Sequence, residues 1–304
     1  MSGIRFVNKK DRQEGKSPIL IISVALLILC AALPCARLAQ ADQSEKILYV
    51  GTGDGDRQYL TTVNPDGTGR KTVSSGYFMI VAPRFSEATG AILFTVHDEM
   101  AKSSVHVLYP EASPEKIINN ACAHCWSPDG KFILYSPSGS ECDLYRYNVA
   151  TKGSERLTKG KMVNEACWSP DGKKIVLSVM EKDSSMDLYV YTLEGKSLQK
   201  LTDTKYFSEH SPSFTPDGKY VIYCHQPFEG LAGCKPGWLA CLELATRKVT
   251  PLPVKDAYSP SLSSDGKQIV YEGGSGTGSI GRCLINGSSQ QTIPVNGSGP
   301  VWMK

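Results

Sequence analysis

The chain has almost no excess of charge. Its 33 basic residues stand against 30 acidic ones, too balanced for nucleic acid or an acidic polymer to be an obligatory partner. It has no G-x-S-x-G nucleophile elbow, which argues against an attached hydrolase. The pair Cys122 and Cys125 of "CAHC" has no second C-x-x-C to complete a zinc site, and Trp126, not His, follows it, so haem attachment is excluded. The acidic turn "GDGDR" (53–57) lacks the spaced ligands of a twelve-residue calcium loop. No segment beyond residue 41 reads as a helix. No cofactor and no metal are expected.

What is present is enough for a substantial core, since 41% of the 304 residues are hydrophobic. At the N-terminus Arg5, Lys9, Lys10, Arg12 and Lys16 precede an apolar run from Pro18 to Leu33, and Ala39, Gln40 and Ala41 follow. That order reads as an export signal over residues 1–41, cleaved before Asp42. The alternatives are a retained anchor, although a spanning helix needs about 20 apolar residues, and a lipoprotein signal. For the latter, Leu29 and Pro34 stand before Cys30 and Cys35, where a small residue is wanted. Eight of the ten cysteines lie beyond residue 41. An exported protein meets a compartment where disulfides persist, but pairing cannot be read from spacing. "CAHC" therefore fits two small side chains on an inner strand, a disulfide, or a redox or metal role.

The dominant feature is a repeat. "CWSPDGKFILYS" (125–136) returns as "CWSPDGKKIVLS" (167–178), and "SFTPDGKYVIYC" (213–224) and "SLSSDGKQIVYE" (261–272) keep its frame. The residue heading each motif marks a unit: Phe85, Trp126, Trp168, Phe214, Leu262 and Trp302, at steps of 41, 42, 46, 48 and 40 residues. That is the length of a propeller blade. Within a unit, Trp168 leads a strand, "SPDG" turns the chain, and "KKIVLSV" (173–179), "DLYVYTLEG" (187–195) and "LQKLTD" (198–203) supply three more strands. Pro170 presets the first turn position, while Asp171 and Gly172 tolerate the conformations that close it. The ends complete each other: "PVW" (300–302) begins a unit that stops, and "KILYVG" (46–51) resembles a second strand lacking its first. The predicted fold is all-β, a six-bladed β-propeller of four-stranded blades over residues 42–304. The C-terminal strand joins residues 46–76 in one blade and closes the ring.

The motif "WSPDGK" followed by "DLYxYxLxG" and "xxLT" resembles the WD-like repeat of the TolB C-terminal propeller. The resemblance runs from residue 43 onward, is strongest at 124–204, and is degenerate at 82–96, where "SEATG" replaces "SPDG". TolB carries an α/β domain ahead of its propeller, and here strands begin almost directly after the export signal. The resemblance thus implies a propeller-only relative, without that domain's contacts in the envelope-spanning Tol–Pal system.

"GTGSIG" (276–281) satisfies G-x-G-x-x-G, but "RCLING" after it matches the third strand of a blade and not the helix a dinucleotide needs. The histidines His97, His106, His124, His210 and His225 are scattered over the units. Four residues ahead of the marker, His210 is equivalent to Val81, Cys122, Asn164, Tyr258 and Ser298, with Glu165, Glu209 and Asp256 close by. If the inner strands line the axis, Asn164, Glu165, Glu209, His210, Asp256 and Tyr258 surround one mouth of the channel and form the candidate binding site. A water-filled tunnel would also explain their polarity. The expected function is an exported, monomeric binding scaffold that recognises an envelope protein or peptide through this face, without nucleic acid and touching membrane only through its N-terminal segment. The alternative is a propeller-based polysaccharide lyase using His210, Glu165 and Glu209 with a metal. Mass spectrometry of the exported protein should show Asp42 as the first residue; membrane-bound protein starting at Met1 or Ser2 would identify an anchor, and lipid on Cys35 a lipoprotein.

Overall fold

The computed structural model describes residues 45–140, 142–228, 236–274 and 278–304. The predicted export segment, the start at Asp42, and Gly276 of the glycine-rich hairpin lie outside them. Strands β4 (Met79–Phe85), β5 (Ile92–His97), β6 (Ser103–Leu108) and β7 (Glu115–Asn119) follow β1 (Lys46–Thr52), β2 (Gln58–Val63) and β3 (Lys71–Thr72). Next come β8 (Ala121–Trp126), β9 (Phe132–Pro137), β10 (Tyr145–Asn148) and β11 (Ser154–Arg156), then β12 (Met162–Trp168), β13 (Lys174–Met180), β14 (Met186–Thr192) and β15 (Ser197–Lys200). The chain ends with β16 (Phe207–Phe214), β17 (Tyr220–Pro227), β18 (Trp238–Glu243) and β19 (Val249–Lys255), β20 (Ala257–Leu262), β21 (Gln268–Gly273), β22 (Ser279–Leu284) and β23 (Gln291–Asn296), and β24 (Ser298–Met303).

Each run of four is an antiparallel meander, and among the described residues one parallel pair, Met186 with Ser208, joins β14 to β16. β24 pairs antiparallel with β1, Ile47 opposite Trp302 and Leu48 opposite Val301, so the two ends of the chain share the sheet β24-β1-β2-β3. "RCLING" does lie on a third strand, β22.

The S-P-D-G turns explain why the strands fold back where they do. In the third meander Ser169 Oγ donates to Asp171 Oδ1 (2.6 Å) and accepts from the Lys174 amide (2.8 Å), while Gly172 sits at φ 68. The same three-point arrangement recurs at Ser127, Asp129 and Phe132 and at Ser263, Asp265 and Gln268. The Asp of the motif thus holds the hydroxyl that seals the hairpin. In "SEATG" the turn is one residue longer, closed by the Gly90 amide on the Ser86 carbonyl, with Thr89 Oγ1 accepting from the Ala91 amide in place of the aspartate. Successive turns stack: a Cβ at Gly172 would lie 4.0 Å from Pro128, at Gly218 3.8 Å from Pro170, and at Gly266 3.0 Å from Pro216. Neighbouring meanders therefore point the same way.

Apolar side chains fill six layers between neighbouring meanders. Leu93 and Val105 meet Trp126 and Ile133; Leu134 and Leu144 meet Trp168 and Leu177; Val176 and Leu188 meet Phe214 and Val221. Ile222 and Leu239 meet Ile269 and Cys283. Leu48 and Leu60 meet Ile80 and Phe94, and Ile47, Tyr49 and Trp302 meet Val270 and Ile293. Trp126, Trp168, Phe214 and Trp302 are buried, while Phe85 and Leu262 are partly exposed. The first strands of the meanders touch in the order β4, β8, β12, β16, β20, β24, and β24 touches β4. This is an all-β architecture consistent with a β-propeller. Trp302→Ala should cost about 3–5 kcal/mol in denaturant unfolding, and deletion of residues 299–304 should expose the edge of β1 and raise light scattering. Unchanged unfolding and scattering in both variants would contradict the pairing of the two ends.

Candidate functional site

The first strand of each meander breaks register near its middle. The shifts fall between Val81 and Arg84, Ala123 and Cys125, Val163 and Glu165, His210 and Ser213, and Tyr258 and Ser261. On β24 the break lies between Ser298 and Val301. Pro83, Pro212, Pro260 and Pro300 occupy four of these breaks, where the missing N–H costs no ladder bond. The residue ahead of each, Ala82, Ser211, Ser259 or Gly299, has φ of 50, 51, 49 or 56. A left-handed backbone costs a non-glycine residue about 1–2 kcal/mol, a cost the surrounding sheets hold in place.

These bulges decide where the predicted site residues go. Asn164 is the extra residue of β12 and is exposed. Glu165 pairs with Ser178, the place that His210 takes against Cys224 and Tyr258 against Glu272. Equal spacing from the marker thus does not mean equal position, because the bulge of β12 comes earlier. Glu165 accepts from the Ser211 amide and, at 3.0 Å, from Ser211 Oγ, so its carboxylate spans from β12 to the bulge of β16. Glu209 does not face an open mouth: it is fully buried and accepts from Thr204 Oγ1 (2.5 Å) and Thr202 Oγ1 (3.3 Å), with His225 Nδ1 at 3.1 Å. His225 stacks on Phe207 at 4.3 Å and meets Trp238 edge-on at 5.0 Å. His210 and Tyr258 are partly buried, and the Tyr258 hydroxyl lies 3.4 Å from Asp256 Oδ1. Among the described residues no three His, Cys, Asp or Glu side chains converge as metal ligands.

A polar clasp at the same end of the sheets was missed. Asp143 accepts from Thr158 Oγ1 (2.7 Å), from the amides of Gly160 and Lys161 (2.9 Å each) and from Arg156. Thr158 Oγ1 in turn accepts from the Leu144 amide (2.9 Å). Asp187 and Thr202 repeat this in the next meander, with the Thr204 amide at 3.1 Å and Lys200 Nζ at 2.8 Å. Burial alone would raise the Asp143 carboxyl, but the two amides, the Thr158 hydroxyl and Arg156 outweigh it and hold Asp143 below the usual carboxylate range. The signal was in the sequence: "DLY" and "LT" recur with the same 15-residue separation, 143 to 158 and 187 to 202.

In an antiparallel meander the start of the first strand, the turn between the second and third, and the exit to the next meander share one end. Of the six exposed large apolar side chains among the described residues, five lie at that end: Phe78, Met79, Met100, Met162 and Tyr206. Arg57, Tyr77, Phe78, His97 and Met100 line a cleft of about 470 Å³ there.

A family model described as the TolB beta propeller domain matches residues 39–233. An uncharacterized protein of Agrobacterium fabrum is 25% identical over 157 residues, covering 50% of this chain and 53% of that protein. The Tol-Pal system protein TolB of Francisella tularensis subsp. tularensis is 30% identical over 194 residues, 48% of this chain and 44% of that protein. The chain spans about half the length of these curated relatives. The crystal structure of TolB from Acinetobacter baumannii superposes with a TM-score of 0.72 at 22% identity, over 86% of this chain and 67% of that one, a likeness of fold.

Two histidines belong to the core. His124, the bulge residue of β8, is buried and bonded through Nε2 to Ser136 Oγ (2.8 Å), and His106 stacks on Phe94 at 5.5 Å. Burial pushes His124 down to about 3 and His106 down to about 4. Both folded values lie below the unfolded value near 6.5, so stability is complete above about pH 6.5 and is lost as pH falls from there through 4 toward 3. Between pH 7 and pH 5 the wild type should lose roughly 1–2 kcal/mol more than His124→Gln, measured by urea unfolding; parallel losses would remove His124 as the cause.

Proposed function

Because the chain belongs to the TolB β-propeller family, we propose that it is an exported, non-enzymatic scaffold. Its six blades close into a ring, and the end where the first strands begin recognises an envelope protein or peptide. The observation that carries this reading is the concentration of exposed Phe78, Met79, Met100, Met162 and Tyr206 at that end. Large apolar side chains left in water at one end of a rigid fold mark a contact surface. The β24–β1 pairing, the contact of β24 with β4 and the six core layers support the closed ring.

The channel-mouth residues take part unequally. His210, Tyr258 and exposed Asn164 can meet a ligand. Glu165 and Glu209 are held by Ser211, Thr202, Thr204 and His225, so they shape the backbone around it. No observation favours the lyase reading, which needs these two carboxylates free. The name of the Francisella relative places that protein in the Tol-Pal system; by analogy, the partner of this chain is an envelope protein.

Cross-linking of the mature chain in an envelope extract, followed by titration of the captured partner, tests the reading. Phe78→Ala combined with Met100→Ala should weaken binding roughly 10- to 100-fold, and Lys173→Ala, in a turn at the opposite end, should leave it unchanged. If Lys173→Ala weakens binding and the double variant does not, the opposite end carries recognition.

A further inference from the structure

The residue just before each marker brings a second group of side chains together. Cys125 on β8 and Cys167 on β12 stand at this position, and their sulfurs lie 3.8 Å apart. Cys122, the other half of "CAHC", keeps different company, its Sγ 3.9 Å from Ser138 Oγ. Arg84, in the same place on β4, adds positive charge to both thiols, and Ser213, in the same place on β16, bonds to Cys167. Both cysteines retain partial exposure. The sheets they belong to share no strand ladder and pack against each other through apolar side chains.

The geometry points to a reversible modification site: Cys125 and Cys167 form a dithiol that closes into a disulfide tying β8 to β12. From 3.8 Å the sulfurs must come together to about 2.05 Å to form the bond. The two thiols are not equivalent. The hydrogen bond from Cys125 holds Cys167 down, helped by the charge of Arg84 and the amide of Phe214, while the same bond and burial push Cys125 up. Cys167 is therefore the attacking thiolate.

The co-reactant is a disulfide, either a small molecule or the exposed disulfide of a thiol oxidase. Cys167 S⁻ attacks one of its sulfurs, forming a mixed disulfide and releasing one thiolate. Cys125 then attacks Cys167 Sγ, gives up its proton, and releases the second half as a thiol. The two cysteines lose two electrons and two protons in all, and the oxidant leaves as two thiols. Cys241 and Cys283 are poor nucleophiles by comparison: burial pushes Cys241 up to about 11 and Cys283 up to about 12.

The test is to incubate the reduced full chain with oxidised glutathione, alkylate the remaining thiols, digest without reductant and map the peptides by mass spectrometry. The expected map joins the peptides carrying Cys125 and Cys167, and dithiothreitol separates them. Because the bond closes a 42-residue separation, the oxidised protein should melt on the order of 5 °C above the reduced one. Cys167→Ser should abolish that difference, and Cys125→Ser should leave Cys167 carrying one glutathione. Alkylation of both Cys125 and Cys167 after oxidation, or a bond from Cys125 to Cys122, overturns the assignment. The peptide map of the wild type decides the matter even if a variant fails to fold.

Discussion

β13 sends Ile175, Leu177 and Val179 into one core layer and Val176 into the next. β9 divides Ile133 and Tyr135 from Leu134 in the same way, β17 divides Val221 and Tyr223 from Ile222, and β1 divides Ile47 and Tyr49 from Leu48 and Val50. The second strand of each meander is thus apolar on both faces, and a single sheet leaves one face in water. Each large side chain so exposed forgoes about 1.5–3 kcal/mol. The meander is stable only between two neighbours, and the pairing of β24 with β1 adds Val301 and Trp302 to the layers on the two faces of β1. The alternation also fixes register, since a slip of one residue would exchange the two layers of a strand.

Packing on two faces leaves few places for polar chemistry, and those places are where the backbone departs from regular pairing. The bulges of the first strands turn backbone groups out of the ladder, and side chains from the adjacent strand meet them. Glu165 takes up the amide of Ser211, and Glu272 accepts from the amide of Gly299 at 3.1 Å. The buried Asp143 and Asp187 do the same for the exits of the meanders. Buried carboxylates are tolerated here because each receives several donors, which repays its loss of water. The same economy explains why Glu209 is buried with His225 and the two threonines. The end of the sheets that presents Phe78, Met100 and Tyr206 to solvent is built on this rigid polar layer.

Much of the fold was legible because its signals are local. Ser-Pro-Asp-Gly closes a hairpin through contacts among five or six consecutive residues, so each turn could be placed from the letters alone, and the steps between Phe85, Trp126, Trp168, Phe214, Leu262 and Trp302 divided the chain into meanders. The half-units at 46–51 and 300–302 anticipated the pairing of the ends for the same reason: a strand with two apolar faces and no partner nearby has to find one farther off. "DLY" and "LT" were equally visible, but their meaning was not, because the bond between Asp143 and Thr158 exists only once the third and fourth strands are side by side.

The site was legible only in part. Sequence alone determined the strands and the turns, and His210 and Tyr258 hold matching places on β16 and β20. It could not determine that Asn164 and Glu165 exchange roles, because the bulge of β12 involves no proline and leaves no local mark. Nor could it show that Glu209 is enclosed, which follows from Thr202, Thr204 and His225 arriving from other strands. Least legible was the approach of Cys125 to Cys167. Spacing left the pairing of the cysteines open, because the distance between two sulfurs on neighbouring sheets is set by how whole sheets pack against each other, and only the tertiary structure fixes that.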